Sequence, residues 1–87
     1  MADAYEVVVA ASTARDVRRL PIAVRRSTFA ALESLAAEPR IGKPLTGALS
    51  GLWSLRRGDY RVIYRIDDPE RRVEVARIVH RRDVYRH

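Results

Sequence analysis

Along this 87-residue chain the spacing of apolar residues indicates a strand first, then two helices, and then a return to a strand period. Residues 5–10 form a short run rich in β-branched side chains, which predicts a strand. Within residues 13–37 apolar positions recur every three or four residues, which predicts two helices arranged as a hairpin. Leu20-Pro21 separates the helices, because proline disfavours helical geometry at the preceding residue and suits the first position of the next helix.

Two assignments follow for the predicted hairpin. Thr13 is expected to cap the first helix, with Asp16 three residues further on in capping-box spacing. Pro39 is expected to end the second helix. The apolar face of that second helix is expected to pack on the core, and its members are Ile22, Phe29, Leu32 and Ala36.

Glycine and proline concentrate in residues 39–51, which hold three of the four glycines and two of the four prolines and are predicted to form a loop. Beyond this loop the period is two, which predicts strands at residues 52–58, 60–67 and 71–80. The connections between them are short, so neighbouring strands should pair antiparallel. We therefore expect one α+β domain over residues 1–87, a small antiparallel sheet with the helical hairpin packed on one face, in the order β-α-α-β-β-β.

The middle strand of these three separates its side chains by character. One face is aliphatic and aromatic and is expected to point to the core; it consists of Tyr60, Val62, Tyr64 and Ile66. Arg61 and Arg65 alternate with this set, so both should lie on the face that the helices leave open. Residues 71–80 mix apolar and polar side chains on both faces, and alternation alone assigns neither face to the core.

The chain carries a formal net charge of +6, and its 17 basic residues are all arginine except Lys43. Such a surface favours polyanions, because arginine binds phosphate oxygens in a bidentate way. A genome that prefers arginine codons would give a similar composition, and the excess leans only slightly to residues 56–87, which hold 10 basic and 6 acidic residues. Charge alone therefore predicts an acidic partner, which leaves RNA, DNA and an acidic protein open.

Missing residue types exclude other classes of function. Cysteine is absent, which excludes disulfides and thiolate metal sites and suits a reducing cytoplasm. The two histidines, His80 and His87, have no metal-ligand spacing, and there is no phosphate-binding glycine loop. The sequence has neither a secretory signal nor an apolar run long enough to span a bilayer. We expect a cytoplasmic protein that uses no metal or cofactor.

Two sequence runs resemble a known family. Residues 42–67 read GKPLTGALSGLWSLRRGDYRVIYRID, which resembles the central signature of the RelE/ParE toxin superfamily. Residues 80–85 read HRRDVY, which is similar to the His-Arg-x-Asp-aliphatic-Tyr ending of the RelE branch. The resemblance covers essentially the whole chain, and the family's order of strands and helices is the order predicted above.

The resemblance implies the toxin of a type II toxin–antitoxin module, which cleaves mRNA in the ribosomal A site and is neutralised by a cognate antitoxin with an acidic segment. The 2′-hydroxyl of the RNA attacks the adjacent phosphate, so the protein supplies proton transfer and cations for the phosphorane. The family's catalytic arginines match Arg61 and Arg81, and its C-terminal tyrosine matches Tyr85. His80 has a reference pKa suited to proton transfer. The further residues expected to bind RNA phosphates are Arg56, Arg57 and Lys43.

The sequence departs from the best-known RelE pattern at Leu52 and Ser54, where that pattern has two lysines for proton transfer and phosphate binding. Either the cations near these positions and His80 substitute for the lysines, or cleavage is weak. Two alternatives stay open: a ParE-like inhibitor of DNA gyrase without nuclease chemistry, and a catalytically weak toxin acting as an antitoxin-binding module. The ending with Tyr85 favours the RelE branch.

Overall fold

A computed structural model describes residues 4–80 of the chain. Its regular elements confirm the α+β class and the predicted order, with one additional two-residue strand inside the loop. The elements are β1 (Glu6–Val9), α1 (Ala11–Arg18), α2 (Ile22–Ala37), β2 (Lys43–Pro44), β3 (Trp53–Arg57), β4 (Tyr60–Asp67) and β5 (Arg72–His80). Short 3₁₀ turns at Pro39–Ile41 and Gly47–Leu49 shape the loop on either side of β2.

The five strands form one sheet in the order β1-β5-β4-β3-β2. The sheet is antiparallel from β2 to β5, as predicted, whereas β1 pairs parallel to β5. The first strand thus lies beside the last. The α1–α2 hairpin connects β1 at one edge of the sheet to β2 at the other edge. The sheet is therefore mixed, with β1 and β2 at its two edges.

The core lies between α2 and the sheet. Ala31 and Leu35 of α2 are fully buried against Val62 and Tyr64 of β4, together with apolar residues of β3 and β5. The prediction that the face of β4 with Val62 and Tyr64 points to the core is confirmed. Arg61 and Arg65 alternate with these residues and lie on the opposite face of the sheet.

The predicted core face of α2 is wrong by part of a turn. Ile22 and Phe29 are 60% and 55% exposed, and the buried positions of the helix are Thr28, Ala31 and Leu35. Leu32 still packs at the margin of the core. Small residues at 28 and 31 let the helix approach the sheet closely, which turns Phe29 outwards.

The predicted cap on α1 is also wrong. The helix begins at Ala11 with Ala10 in the N-cap position, and no side chain caps it. Thr13 is buried instead, and its Oγ1 donates a hydrogen bond of 2.9 Å to the carbonyl of Ala76 in β5. Tertiary structure thus uses the hydroxyl of Thr13 to fasten α1 to the sheet.

A β-bulge in β5 explains why the alternation of the last strand was ambiguous. Arg77 lies opposite Ile63 of β4, but Val75 lies opposite Tyr64, the next residue of β4. Ala76 is therefore an extra residue without a partner, and it shifts the alternation of β5 by one position. The pattern in the sequence is mixed because the residues before and after Ala76 each alternate regularly, but the two stretches are out of step by one position.

The bulge changes which side chains of β5 face the core. Before it Val73 and Val75 are buried in the core, and after it Ile78 packs there. Arg77 and Val79 consequently lie on the open face of the sheet, opposite Ile63 and Arg61.

Tyr64 fastens the loop that follows α2. Its buried hydroxyl donates a 2.7 Å hydrogen bond to the carbonyl of Pro39 and accepts one of 3.2 Å from the amide of Gly42. A Cβ on Gly42 would lie 2.6 Å from both the hydroxyl of Tyr64 and the carbonyl oxygen of Ser54, so only glycine fits. The loop is thereby held against the sheet.

Among the residues described, no helix is both long and apolar enough to cross a membrane.

Candidate functional site

Cations gather at one end of the open face of the sheet. Arg56 of β3 lies directly opposite Arg61 of β4, and Lys43 of β2 lies opposite Ser54. Directly paired residues of neighbouring strands share a face. We call this group the cationic end, and its members are Lys43, Arg56, Arg61 and Arg77.

Of the four residues of the cationic end, Arg61 is the most buried. Its side chain is half-buried, and Nη1 donates to the hydroxyl of Ser54, itself 7% exposed, over 3.5 Å. A guanidinium has five N–H donors in a planar fork, so one contact to Ser54 orients it and leaves donors for a ligand. The arrangement suits an oxyanion bound in a bidentate way.

The pairing of Arg56 with Arg61 is unfavourable in the isolated protein, because like charges directly opposite each other on one face repel. Within residues 4–80 no ion pair to a carboxylate relieves either guanidinium. Arg56 donates a long hydrogen bond of 3.5 Å to the carbonyl of Gly58. An anion bound between the two arginines would remove the repulsion, so the pair indicates an anion-binding site.

An aliphatic groove of about 490 Å³ adjoins Arg61 on the same face. Leu52 and Ser54, the positions at which the sequence departs from the RelE pattern, lie in its wall. The loop of residues 45–49 folds over the open face and closes one side. The complete lining is Leu45, Leu49, Leu52, Ser54, Arg61, Ile63, Ala76, Arg77 and Val79.

The structure brings some of the predicted site residues together and separates others. Lys43, Arg56 and Arg61 share the open face. Arg57 and His80 lie on the helix side, because both occupy the row of Tyr60, which alternates with Arg61.

Strand alternation is thus the physical reason for the separation of Arg57 from Arg61. The ring of His80 meets the ring of Tyr60 edge-on, with centroids 5.0 Å apart. Arg57 lines a cleft between the sheet and α2, beside Tyr60. Arg81 and Tyr85 lie outside the described residues.

Sequence reasoning missed Arg77 as a member of the site. Alternation placed it on the face of Val73 and Val75, and the bulge at Ala76 moves it to the face of Arg61. No signal in a single sequence marks a bulge at an alanine. The leucines of the loop, Leu45 and Leu49, were missed because their contact with the sheet depends on the path of the loop.

Within the described part of the chain, no group of three or more potential ligands could hold a metal ion. The chemistry that the open face offers is therefore that of guanidinium and ammonium groups beside an aliphatic groove.

Comparisons with known proteins bear on what this site does. A family model described as the ParE toxin of the type II toxin–antitoxin system parDE matches residues 7–85. Toxin RelE of Mycobacterium tuberculosis is 48% identical over 84 residues, covering 94% of this chain and 87% of that protein. Toxin RelG of the same organism is 42% identical over 84 residues, covering 94% of this chain and 97% of that protein.

Solved structures agree with these relatives. The RelBE2 toxin–antitoxin complex of Mycobacterium tuberculosis superposes with a TM-score of 0.83 at 39% identity, covering 90% of this chain and 92% of that one. The archaeal RelE–RelB complex of Pyrococcus horikoshii superposes with a TM-score of 0.75 at 27% identity, covering 90% of this chain and 96% of that one.

Proposed function

Because this chain belongs to the RelE/ParE family of type II toxin–antitoxin toxins, we propose that it inhibits translation by cleaving mRNA on the ribosome in the cytoplasm. The observation that carries the proposal is the facing pair Arg56 and Arg61, which has no carboxylate partner within residues 4–80. RNA offers the phosphate that such a pair binds. RNA also carries its own nucleophile, which the protein then need not supply.

In the proposed reaction the 2′-hydroxyl loses its proton and attacks the neighbouring phosphorus, and the P–O5′ bond breaks. The leaving 5′-oxygen takes up a proton, so the products are a 2′,3′-cyclic phosphate and a 5′-hydroxyl. Arg61 contacts the phosphorane oxygens and stabilises the charge that gathers there, which is worth about a hundredfold or more in rate. Arg56 and Lys43 hold the flanking phosphates on the same face.

Arg81 and Tyr85 are assigned by the RelE-like ending of the sequence: Arg81 as a second cation at the phosphate, and Tyr85 as the group that orients the 2′-hydroxyl or moves its proton. His80 is a further candidate for proton transfer. Arg57 and His80 lie on the helix side of the sheet. Their parts in the reaction therefore require RNA that passes around the end of β4 and β5.

A cognate antitoxin is the proposed partner in the cell. The similar structures of Mycobacterium tuberculosis and Pyrococcus horikoshii are of toxins with their antitoxins, so we propose a toxin–antitoxin hetero-oligomer here as well. An acidic antitoxin segment would match the net charge of +6.

Induction of the toxin followed by mapping of mRNA 5′ ends tests the function. We expect cuts inside translated codons, and we expect them to disappear with Arg61→Ala or Arg81→Ala while antitoxin binding persists. Growth arrest that is unchanged in both variants would contradict the catalytic assignment. Tyr85→Phe tests the hydroxyl, since full activity would restrict Tyr85 to base stacking.

Gyrase inhibition is the second candidate, because the matching family model carries the ParE name. The same induction distinguishes the two candidates. Intact mRNA with accumulating gyrase–DNA breaks would replace the first proposal by the second. Intact mRNA, no breaks and retained antitoxin binding would identify a weak toxin that acts as a binding module.

A further inference from the structure

The aliphatic groove beside Arg61 has no part in the proposed chemistry. Cleavage needs cations and proton transfer, yet Leu45, Ile63 and Val79 line a space of about 490 Å³, within the range of about 300–1,000 Å³ typical of small-molecule sites. Leu49 stands at its margin with 53% of its surface exposed. A concave apolar wall with a few cationic groups beside it is typical of a ligand-binding site.

The groove takes in the two positions that depart from the RelE pattern. Leu52 and Ser54 have no charge with which to bind phosphate, and both lie in its wall. The charges stand beside them, on Arg61 and Arg77. No carboxylate lines the groove among residues 4–80. A ligand of this site must therefore present an anionic group and an apolar surface close together.

We infer that the groove holds an unstacked nucleobase of the RNA whose phosphate is bound by Arg61. The inference rests on the proposed function, because it takes RNA as the ligand. A nucleotide carries the anion and the flat apolar surface in one unit, whereas an acidic peptide needs two side chains in register. Bases that are splayed out of a single strand stack on apolar side chains. Stacking removes the apolar faces of the bases from water.

The groove then makes cleavage selective for sequence. The hydroxyl of Ser54 is held by Arg61, so the aliphatic walls have few polar groups with which to read base edges. Selection by size follows, since a purine buries more surface against Leu49 and Ile63 than a pyrimidine does. Selection of the base then depends on three residues of the groove wall, Leu49, Leu52 and Ile63.

Methyl NMR of the full-length toxin tests the inference directly. The protein is titrated with adenosine 5′-monophosphate and, separately, with ribose 5-phosphate, which lacks the base. We expect the first to shift the methyl signals of Leu49, Ile63 and Val79 and the second to leave them in place. Equal shifts with both compounds, or none with either, would overturn the inference and leave a phosphate site alone.

A variant pair completes the test. Leu49→Ser removes an exposed wall of the groove and should weaken binding of adenosine monophosphate about tenfold. Ile22→Ser, at a residue of similar exposure on α2, is the matched control and should bind as the parent does. Equal weakening in both variants would count against the groove, as would loss of antitoxin binding in Leu49→Ser with nucleotide binding intact.

The outcome is independent of the mapping of mRNA ends. Cuts in mRNA without base contacts in the groove would remove this inference and keep the proposed function. Base contacts without cuts would remove the proposed function and keep a nucleotide site.

Discussion

The two ends of the open face of the sheet carry arginines in opposite circumstances. At the β4–β5 turn, Arg72 lies among three carboxylates, with N–O distances of 3.7 Å to Glu6, 3.8 Å to Glu70 and 3.7 Å to Glu74. Arg65 lies opposite Glu74 in the ladder. We call this the neutralised end.

At the cationic end, four residues from Arg65 along β4, Arg61 faces another arginine. No carboxylate of residues 4–80 pairs with it. Exposed ion pairs of the kind around Arg72 contribute about 0–1 kcal/mol each, so neither arrangement is decided by stability. Pairing with carboxylates, and not the mere presence of arginine, therefore distinguishes a structural surface from a candidate site.

The largest expected effect is that of Arg61→Ala. Removal of the guanidinium oriented by Ser54 should lower mRNA cleavage about a hundredfold or more, because a preorganised donor to the phosphorane is lost. Cleavage is measured by primer extension on translating ribosomes. Arg65→Ala, on the same strand and face but opposite Glu74, is the matched control and should retain activity. Equal losses of cleavage in the two variants would contradict a functional difference between the cationic end and the neutralised end.

Arg56→Glu converts the cationic end into a copy of the neutralised end. The new carboxylate would face Arg61 as Glu74 faces Arg65, and cleavage should fall between about tenfold and a hundredfold. The free energy of unfolding should rise by about 0.2–1 kcal/mol, because a like-charge pair becomes an ion pair. Urea denaturation measures this rise. Arg56→Gln removes the charge alone and should lie between parent and variant in both measurements.

Tyr64→Phe tests how the loop that carries Lys43 is held at the cationic end. The variant leaves the buried carbonyl of Pro39 and the amide of Gly42 without their partner, which should lower the free energy of unfolding by about 1–3 kcal/mol. Urea denaturation followed by circular dichroism measures the loss. An unchanged midpoint would mean that water replaces the hydroxyl without cost.

The smallest effect is expected at the neutralised end, at Asp68. Hydrogen bonds from Arg40 and then Tyr5 hold the pKa of Asp68 below its ordinary value of 3.8. A carboxyl group with a lowered folded pKa adds stability above its unfolded pKa, and that stability disappears as the pH falls through the folded value. Asp68→Asn should therefore be slightly less stable than the parent at neutral pH.

The difference between Asp68→Asn and the parent should vanish in acid, below the ordinary pKa of 3.8. Cleavage by the variant should match that of the parent, since Asp68 lies at the opposite end of β4 from Arg61. Thermal unfolding at a series of pH values measures the first expectation. A constant difference at every pH would assign the contribution of Asp68 to something other than its charge.

Much of the site was predictable because β4 alternates cleanly. Val62 and Tyr64 are apolar and Arg61 is charged, so the burial of one set sends the other to solvent. The same reasoning failed for α2, where several apolar faces compete and Phe29 lies outside the core. It gave no assignment for β5, where one extra residue at Ala76 reverses the alternation that follows.

The residues expected to act together were predicted as a set only by resemblance. Arg56 and Arg57 were both expected to bind RNA phosphates, but neighbours in a strand point to opposite faces, and only Arg56 lies with Arg61. His80 follows the same rule and lies in the row of Tyr60. The assignments of Arg81 and Tyr85 remain predictions.

The sequence by itself determined the order of the elements, the core face of β4 and the arginine-rich character of the open face, because these depend on local periods and on composition. Only the tertiary structure decided that β1 pairs with β5 and that Ala76 bulges. It also decided which arginines meet carboxylates and which meet each other. Pairing between distant segments is set by packing against a shared core, and no local pattern in the chain records it.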